Sequence, residues 1–362
     1  MILAIAVLLP ICGYGQRVAD TVKPTPWYES IAVHAFLSSA YSYNFNKPDS
    51  MKNQFRVFDF DDNSLKIDVI ELSLSKAVAG RGEAGFRCDM TAGSSIPQVA
   101  HSSGLDMGDI DFHQIFLSYV APVGNGLRLD FGKFITSMGY EVIEGYDGYN
   151  DNYSHSFLFG YAIPYTHTGM KAAYSFSDHL SAILMIVNGW DNAVDNNKSK
   201  SIFGQVSIQP LSGMSVSANY LSGPEKDFNN SDNRQLVDLV ASYAVDPTVT
   251  VGLNGDYGTE ENSTGTGGDA TWLGIAAYLR LHLTDDFSLS VRGEHFEDKA
   301  GLRTGVEQKL QEVTITAEFK PADYFIVRGD ARLDLSDRDV FQRKNNFTDT
   351  QFTMSLNVLF VF

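Results

Sequence analysis

Cysteine is almost absent: Cys12 and Cys88 are the two among 362 residues. Cleavage of the leader described below would remove Cys12, so no internal disulfide is available to staple the fold, and a lone Cys88 carries no metal or redox signal. Also missing is any apolar run of eighteen residues beyond the first dozen positions, which excludes membrane-spanning helices. Spanning strands stay open, because each needs only about ten residues of alternating character. A mean hydropathy of −0.12 is silent about them. Basic residues are scarce: 27 Lys and Arg stand against 44 Asp and Glu, and the net charge of −17 argues against nucleic acid, whose binders are basic. Disorder is excluded in turn by 44% hydrophobic content with 20% charged residues, which is ample for one large domain.

What is present begins with residues 1–15, MILAIAVLLPICGYG, an apolar run ending in small residues before Gln16. Gly13-Tyr14-Gly15 reads as the small-x-small cleavage site of a secretory signal peptide, although the usual basic start is missing. Ile11 is too bulky for processing to a lipid-modified Cys12. Residues 16–29 are polar, with Pro24 and Pro26, and read as an N-terminal periplasmic linker; strand-like alternation then runs through 30–362.

The clearest stretch is Gln351–Phe362. Phe352, Met354, Leu356, Val358, Phe360 and Phe362 fall on one parity, and Gln351, Thr353, Ser355 and Asn357 on the other. Sixteen such segments, with a range of 14–18, are expected at 30–43, 66–79, 83–92, 111–122, 126–136, 166–177, 180–190, 199–209, 214–221, 235–245, 248–259, 271–284, 287–296, 310–320, 324–334 and 351–362. Their connections alternate in length. Short turns such as Gly80-Arg81-Gly82, Asp178-His179 and Asp285-Asp286 take turns with long polar loops at 44–65, 93–110, 137–165, 191–198, 222–234, 260–270, 297–309 and 335–350. The fold class expected is all-β: a transmembrane antiparallel up-and-down β-barrel in the bacterial outer membrane, with short periplasmic turns and long extracellular loops. Aromatics near strand ends, among them Tyr41, Tyr43, Phe58, Tyr119, Tyr140, Trp190, Tyr220, Tyr257, Trp272, Tyr324 and Phe362, are expected to form interfacial girdles.

Sixteen strands close a barrel too wide for wall side chains to fill, so an aqueous channel remains unless something folds into it. The candidate is the longest loop, 137–165, which carries Glu141, Glu144, Asp147 and Asp151 and no Lys or Arg. Arg87, Arg128, Arg280, Arg292, Arg328 and Arg332 fall on luminal parities of the strands. Acids on an inward loop facing those arginines set a transverse field across a constriction. Neutralising Glu141 and Glu144 is then expected to lower cation preference. The competing arrangement leaves the loop outside and pairs the arginines with Asp89, Asp130, Glu294, Asp330 and Asp334 beside them. Both stay open at this point.

Phe131-Gly132-Lys133-Phe134, Gly139-Tyr140-Glu141, Asn152-Tyr153-Ser154, Ser156-Phe157, Pro164-Tyr165-Thr166-His167-Thr168-Gly169 and Asn188-Gly189-Trp190-Asp191 together resemble the β-barrel porin-2 (OmpL-like) family of Gram-negative outer-membrane proteins. The resemblance implies location and architecture, and it assigns no catalytic residue. His155, His167 and His179 recur every twelve residues without a close ligand spacing and read as rim hydrogen bonders. The Asn/Asp-rich tips at 191–197 and 229–233 read as solvated loops before they read as calcium sites. The expectation is a porin, not an enzyme: passive diffusion of small hydrophilic solutes or ions with a cation bias, and no cofactor, metal or nucleic acid. Expected partners are outer-membrane lipid, those solutes, the barrel assembly machinery through Phe362, and further copies of the chain as a homo-oligomer. The alternative is an occluded structural or adhesive barrel that binds a partner through its extracellular loops.

Overall fold

The computed structural model describes residues 27–95 and 110–362. The expected signal peptide, most of the linker and most of loop 93–110 lie outside the described residues. Sixteen strands form one closed antiparallel barrel. They are β1 (Ala32–Asn44), β2 (Ser64–Lys76), β3 (Ala84–Ala92), β4 (Ile110–Ala121), β5 (Leu127–Ile135), β6 (Thr166–Ser177), β7 (Leu180–Val187), β8 (Ser201–Ile208), β9 (Met214–Pro224), β10 (Asn233–Ala244), β11 (Val249–Glu260), β12 (Ala270–Thr284), β13 (Phe287–Asp298), β14 (Gln308–Ala322), β15 (Phe325–Ser336) and β18 (Thr350–Val361). The last long loop holds a small hairpin of β16 (Phe341–Arg343) and β17 (Asn346–Thr348), which the alternation of that polar stretch did not announce. Each wall strand pairs with its neighbours in chain order, and β18 closes the ring against β1. At the seam Ala35 and Phe362 exchange two backbone hydrogen bonds of 2.9 Å.

Closure leaves no sheet edge, so every strand amide can be satisfied within the wall, as a hydrocarbon surrounding requires. The side chains then sort inside out. In β18, Phe352, Met354, Leu356 and Phe360 are exposed, while Gln351, Thr353 and Asn357 are buried. The apolar parity faces lipid and the polar parity faces the lumen.

The girdle expectation needs correction at four residues. Tyr41, Tyr119, Tyr220, Tyr257, Tyr324 and Phe362 are exposed on the outer wall, but Phe58, Trp190 and Trp272 are buried in the interior, and Tyr140 stacks on the inward-facing Tyr278 at 4.0 Å. Proximity to a strand end placed them wrongly. Trp272 shares the inward parity of β12 with Tyr278 and Arg280, and the other three sit on loops that bend into the barrel. Gly258 on β11 lies opposite Trp272, and a Cβ there would sit 2.1 Å from the indole. Gly258→Ala is expected to cost about 1–3 kcal/mol by overpacking, seen as a lower temperature for heat-induced loss of the compact gel mobility. An unchanged transition would mean that the indole moves aside freely.

Candidate functional site in the lumen

Loop 137–165 enters the barrel, and backbone amides of its stem donate to side-chain oxygens of β10, β11 and the loop after β7. Asp191 Oδ1 accepts from the amides of Tyr165 (2.6 Å) and Thr166 (2.9 Å). Asp238 Oδ2 accepts from Gly139 N at 3.0 Å, and Asn254 Oδ1 from Tyr140 N at 3.2 Å. Further in, Ser156 Oγ accepts from the amide of Phe159 and opens a π-helical turn, Leu158–Ala162. Leu158, Phe159, Ala162 and Ile163 are buried in an apolar cluster with residues of the wall. Such burial is one of the forces available to hold a loop inside a polar lumen.

All four predicted acids meet predicted arginines. Glu141 Oε1 accepts from Arg292 Nη1 (3.0 Å). Glu144 takes Arg328 through both oxygens (2.7 and 3.0 Å). Asp147 pairs with Arg87 at 2.8 Å, and Asp151 with Arg280 at 2.6 Å. The two other arginines differ. Arg332 pairs with Asp334 at 2.6 Å and donates to the carbonyl of His155, so it touches the loop backbone and none of the four acids. Arg128 pairs with Asp130 at 2.9 Å and does not reach the loop. The arrangement mixes the two expectations, because Arg87 also holds Asp89 at 2.7 Å. Glu294, expected beside Arg292, instead accepts from the amide of Phe157 at 2.6 Å, and Arg292 holds Glu312 at 2.6 Å.

Exposure divides these charges into two sets. Arg292, Arg328 and Arg332 are 0% exposed, and Glu141 and Glu144 are buried with them. Arg128 (44%), Asp147 (40%) and Asp151 (28%) are wet, with Arg87 and Arg280 partly so. The wet arginines belong to strand ends next to the short turns, so the open part of the lumen lies toward the short-turn rim. Burial pushes the Glu141 carboxyl up, but the Arg292 guanidinium and the His155 ring against it prevail and hold it at about 2.

A second inward segment was missed. In the loop between β1 and β2, Arg56 pairs with Asp59 and, at 2.6 Å, with Asp334 of β15, while Phe58 packs on His155 and Phe159. The signal available was the alternation of Phe55, Val57 and Phe58, Phe60 with polar residues inside a stretch read only as polar. The three histidines do not share a rim. His155 is buried with Nδ1 3.0 Å from Glu141, and His167 is buried in β6 with Nε2 3.1 Å from Thr136 Oγ1. His179 lies in the short turn between β6 and β7. At the Asn-rich tips Lys226 pairs with Asp232 and Lys200 with Asp195, so lysines occupy those carboxylates. Among the described residues no group of three or more His, Cys, Asp or Glu is placed to hold a metal ion.

The fold is similar to solved porins. An anion-selective porin from Comamonas acidovorans superposes with a TM-score of 0.61 at 11% identity, covering 92% of this chain and 99% of that one. OmpF of Salmonella typhi, in complex with daunomycin, gives 0.63 at 12% identity, covering 93% and 99%. OmpT of Vibrio cholerae, in a trimer form, gives 0.59 at 13%, covering 92% and 99%. At such identities the likeness is one of fold. No curated protein sequence matches the chain. The family model described as "Putative beta-barrel porin-2, OmpL-like" matches residues 30–362, the whole of the barrel, and the chain therefore belongs to that family of outer-membrane porins.

Proposed function

We propose that this porin carries small hydrophilic solutes and ions by passive diffusion, with a bias toward cations, and that its long loops face the outside and its short turns the periplasm. The observation that carries the reading is the wet set of luminal charges of both signs, Arg128 and Arg87 on the wall against Asp147 and Asp151 on the loop. Charges this exposed inside a barrel border water, and although Asp147 pairs with Arg87 and Asp151 with Arg280, together with Arg128 they act on the charge and dipole of whatever passes. In this reading the wet residues Arg87, Arg128, Arg280, Asp147 and Asp151 tune passage. The dry ones, Glu141, Glu144, Arg292, Arg328 and Arg332, hold the loop in place. The mechanism needs no energy coupling. Self-association would resemble the trimer form of Vibrio cholerae OmpT.

Planar-bilayer recordings on refolded protein test this, with reversal potentials under a salt gradient. Discrete conductance steps and a reversal potential of cationic sign are expected, and Asp147→Asn with Asp151→Asn should move that potential toward the anionic side. The second reading, an occluded barrel that binds a partner through its outer loops, is favoured by the dry apolar packing of residues 157–163. A folded, heat-modifiable barrel that passes no current would select it.

A further inference from the structure

We propose that the turns carrying Lys47, Arg343 and Lys344, at the long-loop end of the seam between β1 and β18, bind the phosphorylated headgroup of an outer-leaflet lipid. Its acyl chains lie on the aromatic wall beneath. The inference rests on the orientation given above, with the long loops outside, and adds a partner on the outer surface of the barrel.

The two turns form one unit. β1 ends at Asn44 and the chain turns through Asn46 and Lys47, while the β16–β17 hairpin turns at Lys344. Lys344 N donates to the carbonyl of Asn46 at 3.1 Å, and Asp49 N donates to the carbonyl of Lys344 at 3.3 Å, which brings the backbone of Lys47 against the hairpin tip. Asn46 Nδ2 ties the same turn to the carbonyl of Thr350, the first residue of β18, at 2.6 Å. Lys47, Arg343 and Lys344 are exposed, and among the described residues none of them has a salt-bridge partner, although Asp49 and Asp349 lie in the same loops. Elsewhere on this rim lysines are matched: Lys52 with Asp61, Lys200 with Asp195, Lys226 with Asp232 and Lys309 with Glu297. Lys299 and Arg338 share a recess with Glu297, Asp298, Glu307 and Asp337, and Lys198 stands alone. Three unmatched cations on a chain of net charge −17 attract an anion from outside it.

The wall beneath selects the anion. Phe45 is exposed two residues before Lys47, with its ring 5.1 Å from Phe352 of β18 and edge-on to Tyr43 at 5.0 Å. Phe347 of the hairpin is exposed as well, and Tyr41, Met354 and Leu356 continue the apolar face along the seam toward the middle of the wall. A free anion has no use for those rings. A lipid uses both parts, its phosphate on the cations and its chains on the rings, and aromatic residues at headgroup level are its usual boundary. Arg343 can fork onto two phosphate oxygens while the lysines act as point charges.

Native mass spectrometry of the refolded barrel, titrated with lipid A and with dephosphorylated lipid A, tests this. The parent should bind lipid A at least tenfold more tightly, a comparison that needs no variant, and millimolar inorganic phosphate should not displace it. Lys47→Asn with Arg343→Gln and Lys344→Asn should lose that preference; asparagine suits positions 47 and 344, where φ is 52° and 51°. Lys198→Gln with Lys299→Gln and Arg338→Gln removes as much charge from the same rim and should keep it. No preference in the parent, displacement by phosphate, or a preference retained by the first variant or lost by the second would each overturn the lipid site. The orientation is read separately from Thr266→Cys, at the tip of another long loop, in a Cys88→Ser chain. Labelling by an impermeant maleimide in intact cells is expected. A thiol labelled only after lysis would overturn the orientation and this site with it.

Discussion

Arg292→Met is expected to release the inward loop and raise single-channel conductance several-fold. Arg292 donates to Glu312 (2.6 Å), to Glu141 (3.0 Å) and to the carbonyl of Ser154 (2.5 Å), and it is fully buried among them. Removing one partner from a buried ion cluster leaves uncompensated carboxylates in a poorly solvated place, typically at a cost of about 3–5 kcal/mol. The wall has no means of relieving that cost, because its backbone ladder is continuous around the ring. The loop has one: it can move out into water. Loop release should therefore appear as larger conductance and as new proteolytic cleavage within 137–165. Arg292→Lys keeps the charge but loses the forked geometry that serves three acceptors at once, and should fall between. Wild-type conductance and protease resistance in Arg292→Met would sink this account of what holds the loop.

Acidification from pH 8 to about 5 should tighten the stem of the same loop. Asp191 and Glu225 lie outside the spanning strands and are buried, with no salt-bridge partner among the described residues. Burial raises Asp191 to about 6, against the backbone amides of Thr166 and Tyr165 and the more distant Arg303 and Arg234. Burial likewise raises Glu225 to about 7, against Ser201, the Trp190 amide and Arg234, and with added push from Asp191. A carboxyl whose folded value lies above its unfolded one favours folding most in the protonated form. Its contribution is complete below about pH 4 and is lost as pH rises through 6 to 7. Shifts of this size correspond to roughly 3 kcal/mol per group. Glu141 has the opposite sign: held at about 2, its contribution is present above about 4.5 and is lost as pH falls toward 2. The stem should thus be seated most firmly near pH 5. Trp190 donates its amide to Glu225 at 2.6 Å and meets Trp272 edge-on, so intrinsic fluorescence should titrate between pH 6 and 7. Glu225→Gln should abolish most of that transition, and a profile unaltered by the substitution would refute the assignment.

The wall was legible because its physics is local. A strand with lipid on one side and the lumen on the other must alternate, and β14, β15 and β18 do so residue by residue. Parity also identified which arginines point inward. It did not identify their partners, since Glu141 meets Arg292 at a separation of 151 residues and Glu144 meets Arg328 at 184, along a route that only the folded loop defines. Trp272 was readable and was misplaced: it shares a face with Arg280, eight residues on, which had already been counted as luminal. Arg56 and Phe58 were hidden for a different reason. A loop that enters a polar lumen has the composition of one that enters water, and only its alternating phenylalanines differ.

The loop between β5 and β6 has partners on strands from both ends of the chain: Asp147 holds β3, Asp151 holds β12, and Glu144 holds β15. These anchors come together only when the ring is complete, with Ala35 joined to Phe362. An incompletely zipped barrel is therefore expected to seat the loop poorly, with its acids and arginines hydrated. Narrowing of the lumen is therefore expected to come last in assembly, and a half-built wall to leak more than the finished one.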